Sequence, residues 1–152
     1  MPKVDVAAVA EHQPTFYPPE LRKPVAGRHV REVGRASGLT QFGANVVRVE
    51  PGSYSSLRHW HEAEDEFLVV LEGELVLIED TGETLLKSGD MAAFPAGTGN
   101  GHHMLNRSDS DAVFLVLGPD LPRERIHYPG LDLVYERDVG VDRFTRRDGT
   151  PY

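Results

Sequence analysis

His59 and His61 stand two residues apart, Glu66 follows five residues after His61, and His102 comes later, just past a glycine-rich link. Three imidazoles and one carboxylate make a mixed nitrogen and oxygen donor set. That set suits one borderline divalent metal ion, with Zn, Fe, Mn, Co, Ni and Cu all compatible. With four protein ligands, a metal that prefers five or six partners keeps positions open for water or substrate. Such an ion can polarise a carbonyl or enol, activate a bound water, or bind O₂ if it is iron or copper. The chain has no cysteine. Disulfides, thiolate nucleophiles, Fe–S ligation and cysteine-based zinc sites are therefore excluded.

The remaining polar residues read more plainly. His103 neighbours His102 on the opposite face of a strand, which makes it a packing residue. His12, His29 and His127 fall in proline-rich or mixed segments and read as structural or surface groups. Glu62, Glu64 and Asp65 read as a solvated acidic turn, and Trp60 as a packing or interface aromatic. Arg48 and Tyr54 are the polar groups expected at the mouth of a pocket. A single close Arg would favour a carboxylate or phosphate substrate, although the commoner role for Arg48 is a surface salt bridge.

Positioning these side chains falls to short strands. QFGANVVRV from Gln41 is strand-like and ends at the Pro51-Gly52 turn. Ser53–His61 is a plausible second strand, in which a period of two puts His59 and His61 on one face and Trp60 on the other. Phe67–Leu71, Leu75–Ile78, Thr84–Leu86, Met91–Phe94, His102–Leu105 and Ala112–Leu117 follow, separated by turn signals. Val4, Val6 and Val9 could add a short edge strand. About seven or eight strands with turns every 8–12 residues, and no helical period, predict an all-β sandwich or barrel. Phe67–Leu71 is apolar on both faces, so its second face should be covered by another segment or subunit. Strand phase points Leu57, Leu68, Val70 and Met104 toward the ligands, with Phe42, Val47, Val49, Leu77 and Leu115 as further candidates.

The 152 residues amount to one domain. The formal charge of −8 argues against affinity for nucleic acid or anionic lipid. The longest apolar runs are far short of the roughly 20 residues that span a bilayer. The N-terminus lacks the apolar core of a signal peptide, which makes a cytoplasmic location the expectation. The reading divides the chain into an extended N-terminal arm over 1–40, packing on the barrel or a partner, a β-barrel over 41–118, and a C-terminal extension over 119–152 that wraps the barrel. No glycosidase carboxylate pair, nucleophile elbow, P-loop or dinucleotide fingerprint is present.

Two motifs resemble those of the cupin superfamily, and specifically its small single-domain bacterial members. The first runs Gly52, His59-Trp60-His61, Glu66, Gly73, with one extra residue before His59. The second runs Gly89, Pro95-Ala96-Gly97, His102, Asn106, with two extra residues between Gly97 and His102. His103 cannot replace His102 in it, because Arg107 would then stand in the Asn place. The resemblance implies a double-stranded β-helix, or jelly-roll, and a divalent metal such as Zn, Fe, Mn or Ni held by His59, His61, Glu66 and His102. It implies a small-molecule ligand and a homodimer. It leaves open a metal-dependent oxygenase, isomerase or lyase, and alternatively a non-catalytic ligand-binding or sensing cupin.

Overall fold

The computed structural model describes residues 3–13 and 16–152. Among these residues twelve strands form three sheets in a jelly-roll, the double-stranded β-helix that the motifs imply. The five-stranded sheet holds β1 (Arg28–Arg31), β2 (Phe42–Val49), β9 (Ala112–Pro119), β4 (Glu66–Glu72) and β7 (Met91–Phe94) in that order. The three-stranded sheet runs β6 (Gly82–Lys87), β5 (Glu74–Glu79), β8 (His103–Leu105). The third sheet runs β12 (Val141–Thr145), β11 (Val134–Asp138), β10 (Arg123–His127), β3 (Trp60–His61). All pairings are antiparallel.

Alternation along the strands builds the core. Leu68 and Val70 of β4 are buried, while Phe67 and Leu71 on the other face are exposed. Val47 and Val49 of β2, Leu75 and Leu77 of β5 and Phe114 of β9 complete the main apolar cluster. Each such side chain contributes roughly 1.5–3 kcal/mol on burial. A second cluster gathers Tyr17, Val25, Leu57, Tyr128, Leu133 and Tyr135 under the third sheet.

The structure corrects three readings. Twelve strands replace seven or eight, because β1 and the C-terminal β10–β12 come from segments whose sequence carries no clean alternation. Val6–Ala8 is a 3₁₀ turn, with Asp5 Oδ1 accepting from Ala7 N, where an edge strand was expected. Only Trp60–His61 of Ser53–His61 is a regular strand. The rest is reduced to isolated bridges, Tyr54 to Leu105 and His59 to His102. The Ser55 hydroxyl accepts the Met104 N–H and so takes the place of a ladder carbonyl.

Two motif residues have structural reasons to be what they are. Gly73 has φ +71, and a β-carbon there would sit 2.9 Å from the Asp111 carbonyl oxygen. Asn106 is fully buried. Its Nδ2 donates to the Val49 and Ser110 carbonyls, and its Oδ1 accepts from Ser108 N and Ser108 Oγ. The three bonds with Ser108 and Ser110 close the β8–β9 turn, and the one to Val49 ties it to the end of β2. Asn106→Leu, which strands buried partners, is expected to lower unfolding free energy by about 2–3 kcal/mol. Urea denaturation checks this, and a loss below about 0.5 kcal/mol would show that the network carries little stability.

Candidate metal centre and its cavity

His59 and His61 reach the same interior point because β3 continues the phase of the segment before it. His102 is brought across by a two-way backbone bridge. His59 N donates to His102 O at 3.1 Å, and His102 N donates to His59 O at 2.8 Å. Gly97 N donates to His61 O at 2.8 Å, so the link after β7 also fastens this strand. Glu66 opens β4 and is opposed by Phe94 of β7.

The four side chains come together. Glu66 Oε2 lies 2.8 Å from His102 Nε2, 3.4 Å from His61 Nε2 and 3.5 Å from His59 Nε2. All four are largely shielded from solvent, Glu66 the least at 22% side-chain exposure. Burial by itself would raise the Glu66 carboxyl. The hydrogen bonds from His102, His59 and His61 outweigh it and hold the group well below the ordinary carboxylate range. Burial pushes the His59 imidazole down. Burial also works to lower His61, but Glu66, Glu124 and Glu64 together raise it.

This arrangement fits a divalent cation. Here one carboxylate oxygen is the shared acceptor of three imidazoles, two of them at the long distances of 3.4 and 3.5 Å. A cation among the four atoms satisfies all of them. His59, His61 and Glu66 offer ligand atoms within 4.8 Å of one another. The tautomer of His59 suits this role, since its Nδ1 lies 2.8 Å from the Leu57 carbonyl oxygen and donates there, leaving Nε2 its lone pair. Phe94 stacks on His102 with centroids 3.6 Å apart and planes 2° from parallel.

The centre lies in a cavity of about 570 Å³, within the range of small-molecule sites. Its walls include Val47, Leu68, Phe94, Met104, Phe114 and Val116, with Phe16, Tyr17, Tyr128, Tyr135 and Phe144 contributed from outside the eight-strand core. Of the lining expected from phase, Val47, Leu68 and Met104 stand there. Val49, Val70 and Leu77 lie deeper in the main cluster, and Leu57 in the second. Leu115 is replaced by its neighbours Phe114 and Val116, since β9 runs one residue out of the assumed phase, and Phe42 is exposed.

Other residues are reassigned. Arg48 does not line the cavity. It points from the outer face of β2 to Glu11 (2.6 Å) and Asp111 (2.8 Å). Tyr54 packs on His103, ring centroids 4.7 Å apart. His103 Nδ1 meets the Ser56 carbonyl oxygen, away from Glu66. Trp60 stacks on His127, which pairs with Glu62. Glu64 is not a solvated turn residue. It is 12% exposed, lines the cavity, and burial raises its carboxyl.

Glu124 was missed by the sequence reading. It sits in a tail with no motif, and only the pairing of β10 with β3, through Ile126 and His127, brings it here. Its buried carboxylate accepts from the backbone N–H groups of Glu62, Ala63 and Arg125. His61 Nδ1 is buried without a hydrogen-bond partner and faces Glu64 at 3.7 Å and Glu124 at 3.9 Å. Carboxylates behind a histidine in this way orient the ring and raise its basicity.

A cupin-domain family model matches residues 45–118. The chain is 46% identical to a protein of Silicibacter pomeroyi described as a sugar phosphate isomerase from the cupin superfamily. The match covers 99% of this chain and 96% of that one, with a TM-score of 0.96. A protein of Acidithiobacillus ferrooxidans is 26% identical over 82% of this chain and 80% of its own, with a TM-score of 0.75. A polyketide cyclase of Streptomyces resistomycificus, 21% identical over 86% of this chain and 87% of its own, shares the fold with a TM-score of 0.70. No curated protein matches. Among the described residues no helix is long and apolar enough to cross a membrane.

Replacing Glu124 with Ala removes the acceptor for three N–H groups of the turn beside His61. Destabilisation of about 2–3 kcal/mol is expected, with Glu124→Gln retaining a substantial part. Parallel thermal melts of both variants provide the check, and equal stability of Glu124→Ala and the wild type would remove this role.

Proposed function

Because the chain belongs to the cupin superfamily, we propose that its cavity is the active site of a metal-dependent isomerase acting on a small phosphorylated sugar. The observation that carries this reading is the convergence of three imidazole nitrogens on one carboxylate oxygen inside a substrate-sized cavity. The reaction class is supported by the identity, along nearly the whole chain, with the Silicibacter pomeroyi protein. His59, His61, Glu66 and His102 hold the ion. When bound, a divalent ion supplies Lewis acidity that polarises a carbonyl and stabilises negative charge developing on oxygen.

The chain's own residues supply the rest. The Leu57 carbonyl holds the His59 tautomer, and Phe94 pins the His102 ring. Tyr17 and Tyr128 line the cavity, and burial raises both phenols, so they stay protonated at neutral pH and offer O–H donors to substrate hydroxyls. Phe16, Phe114, Tyr135 and Phe144 exclude bulk water, which strengthens every polar contact inside.

The active form is a homodimer located in the cytoplasm. Phe67, Leu71 and Met91 are exposed, and the strand register puts Val69, Leu115 and Leu117 on the same outer face of the five-stranded sheet. A second copy would cover this apolar surface.

Elemental analysis tests the metal reading. The wild type should carry near one equivalent and His59→Ala a background level, and unchanged content in the variant would reject the ligand set. Turnover of an aldose and ketose phosphate panel, with protein reconstituted in Fe(II), Mn(II), Ni(II) or Zn(II), should disappear on chelation and return with metal. Activity that survives complete chelation sinks the mechanism, and tight ligand binding with no turnover assigns the chain to ligand capture or sensing. Sedimentation at low micromolar concentration should give the dimer mass, and a monomer mass rejects the homodimer.

A further inference from the structure

Three arginines line the cavity, and they differ in one respect. Arg137 pairs with Asp120 at 2.8 Å and Asp142 at 3.3 Å, and Arg143 with Glu136 at 2.7 Å. Arg28 has no carboxylate within ion-pair distance among the described residues. Its Nε is shielded from solvent and has no hydrogen-bond partner among the described residues.

The backbone dictates where Arg28 points. It is the first residue of β1 and pairs with Val49 of β2, while Val30, two residues on, pairs with Val47. Val30, Val47 and Val49 are all buried. Period two therefore puts Arg28 in a row that is otherwise valine, on the face turned to the cavity. His29 and Arg31, on the opposite face, meet Glu50 and Glu11. A fold needing only stability would place an apolar residue in that row, because an unpaired buried charge costs far more than it returns.

We propose that Arg28 binds the anionic group of the substrate, a phosphate or carboxylate, at the cavity wall while the metal centre holds the reacting end. The proposal rests on the cavity being the substrate site. A guanidinium offers a planar fork of donors that matches two oxygens of such a group, and a bound oxyanion supplies the partner that the protein withholds. Burial depresses the Arg28 guanidinium's affinity for its proton, a cost that an incoming anion removes. Tyr17, lining the same cavity, adds a neutral O–H donor.

The test uses the metal-loaded protein, with inorganic phosphate and acetate titrated against chloride at matched ionic strength and Tm as the readout. Wild-type Tm should rise with one of the oxyanions. A rise with phosphate assigns a phosphoryl group, and a rise with acetate a carboxylate. Arg28→Met should be at least as stable as wild type in chloride, and its apparent anion affinity at least about tenfold weaker. Should Arg28→Met melt early, Arg28→Lys decides, since it keeps the charge but loses the fork and must weaken the response with the fold intact. A response that persists in either folded variant, including one from phosphate binding the metal directly, overturns the proposal, as does its absence in wild type. The readout needs no turnover. An intact Arg28-dependent response without isomerase activity rejects the isomerase alone, and activity with an Arg28-independent response rejects this assignment alone.

Discussion

The Glu66 carboxylate, buried among three imidazoles, is the constraint on which the rest of the structure turns. A negative charge inside an apolar barrel is costly unless positive or hydrogen-bonding partners surround it. His102, His61 and His59 are those partners, and burial and the hydrogen bonds pull the Glu66 carboxyl in opposite directions. The histidines win, so the centre presents an ionised carboxylate and three imidazole nitrogens at one point. Moving His61 or Glu66 by one residue would turn its side chain to the other face of its strand.

The fold keeps those four residues still with backbone bonds rather than side-chain packing alone. The His59–His102 bridge and the Gly97–His61 bond lock two stretches, 59–61 and 97–102, that are far apart in sequence. Glu124 holds the turn that leads from His61 toward Glu66. Phe94 closes one side by stacking on His102. The result is a rigid donor set at the floor of a cavity whose outer walls come from both ends of the chain. Chemistry of this kind depends on fixed donors, because a small displacement of a reacting group costs much of the rate.

The ends of the chain give this barrel its own character. The family match stops at residue 118. Beyond it, β10–β12 bring Ile126, Tyr128, Tyr135 and Phe144 to the cavity. Ahead of it, Phe16, Tyr17 and Arg28 do the same. The four converging side chains lie within the matched stretch, whereas much of the cavity wall lies outside it.

The central strands were legible because period-two alternation and glycine or proline turn signals are local properties. Phe67–Leu71 and Ala112–Leu117 needed nothing else, and the two histidine motifs put His59, His61, Glu66 and His102 on the page with their order and spacing. β1 and β10–β12 were not legible, because their residues earn burial only from cross-strand neighbours. Arg28 had no signal, since a charged residue in a proline-rich lead-in looks like surface until β2 is laid beside it. Glu64 and Glu124 were hidden for the same reason, and Arg48, which looked like the pocket's cation, is turned outward by the phase of β2. The donor types, their spacing and the all-β class are thus properties of the chain alone, set by side-chain chemistry and a two-residue repeat. Which charges are buried, which are paired and which of the cavity's guanidiniums is left without a carboxylate were decided only by tertiary structure, because burial and pairing depend on strands that are distant in sequence.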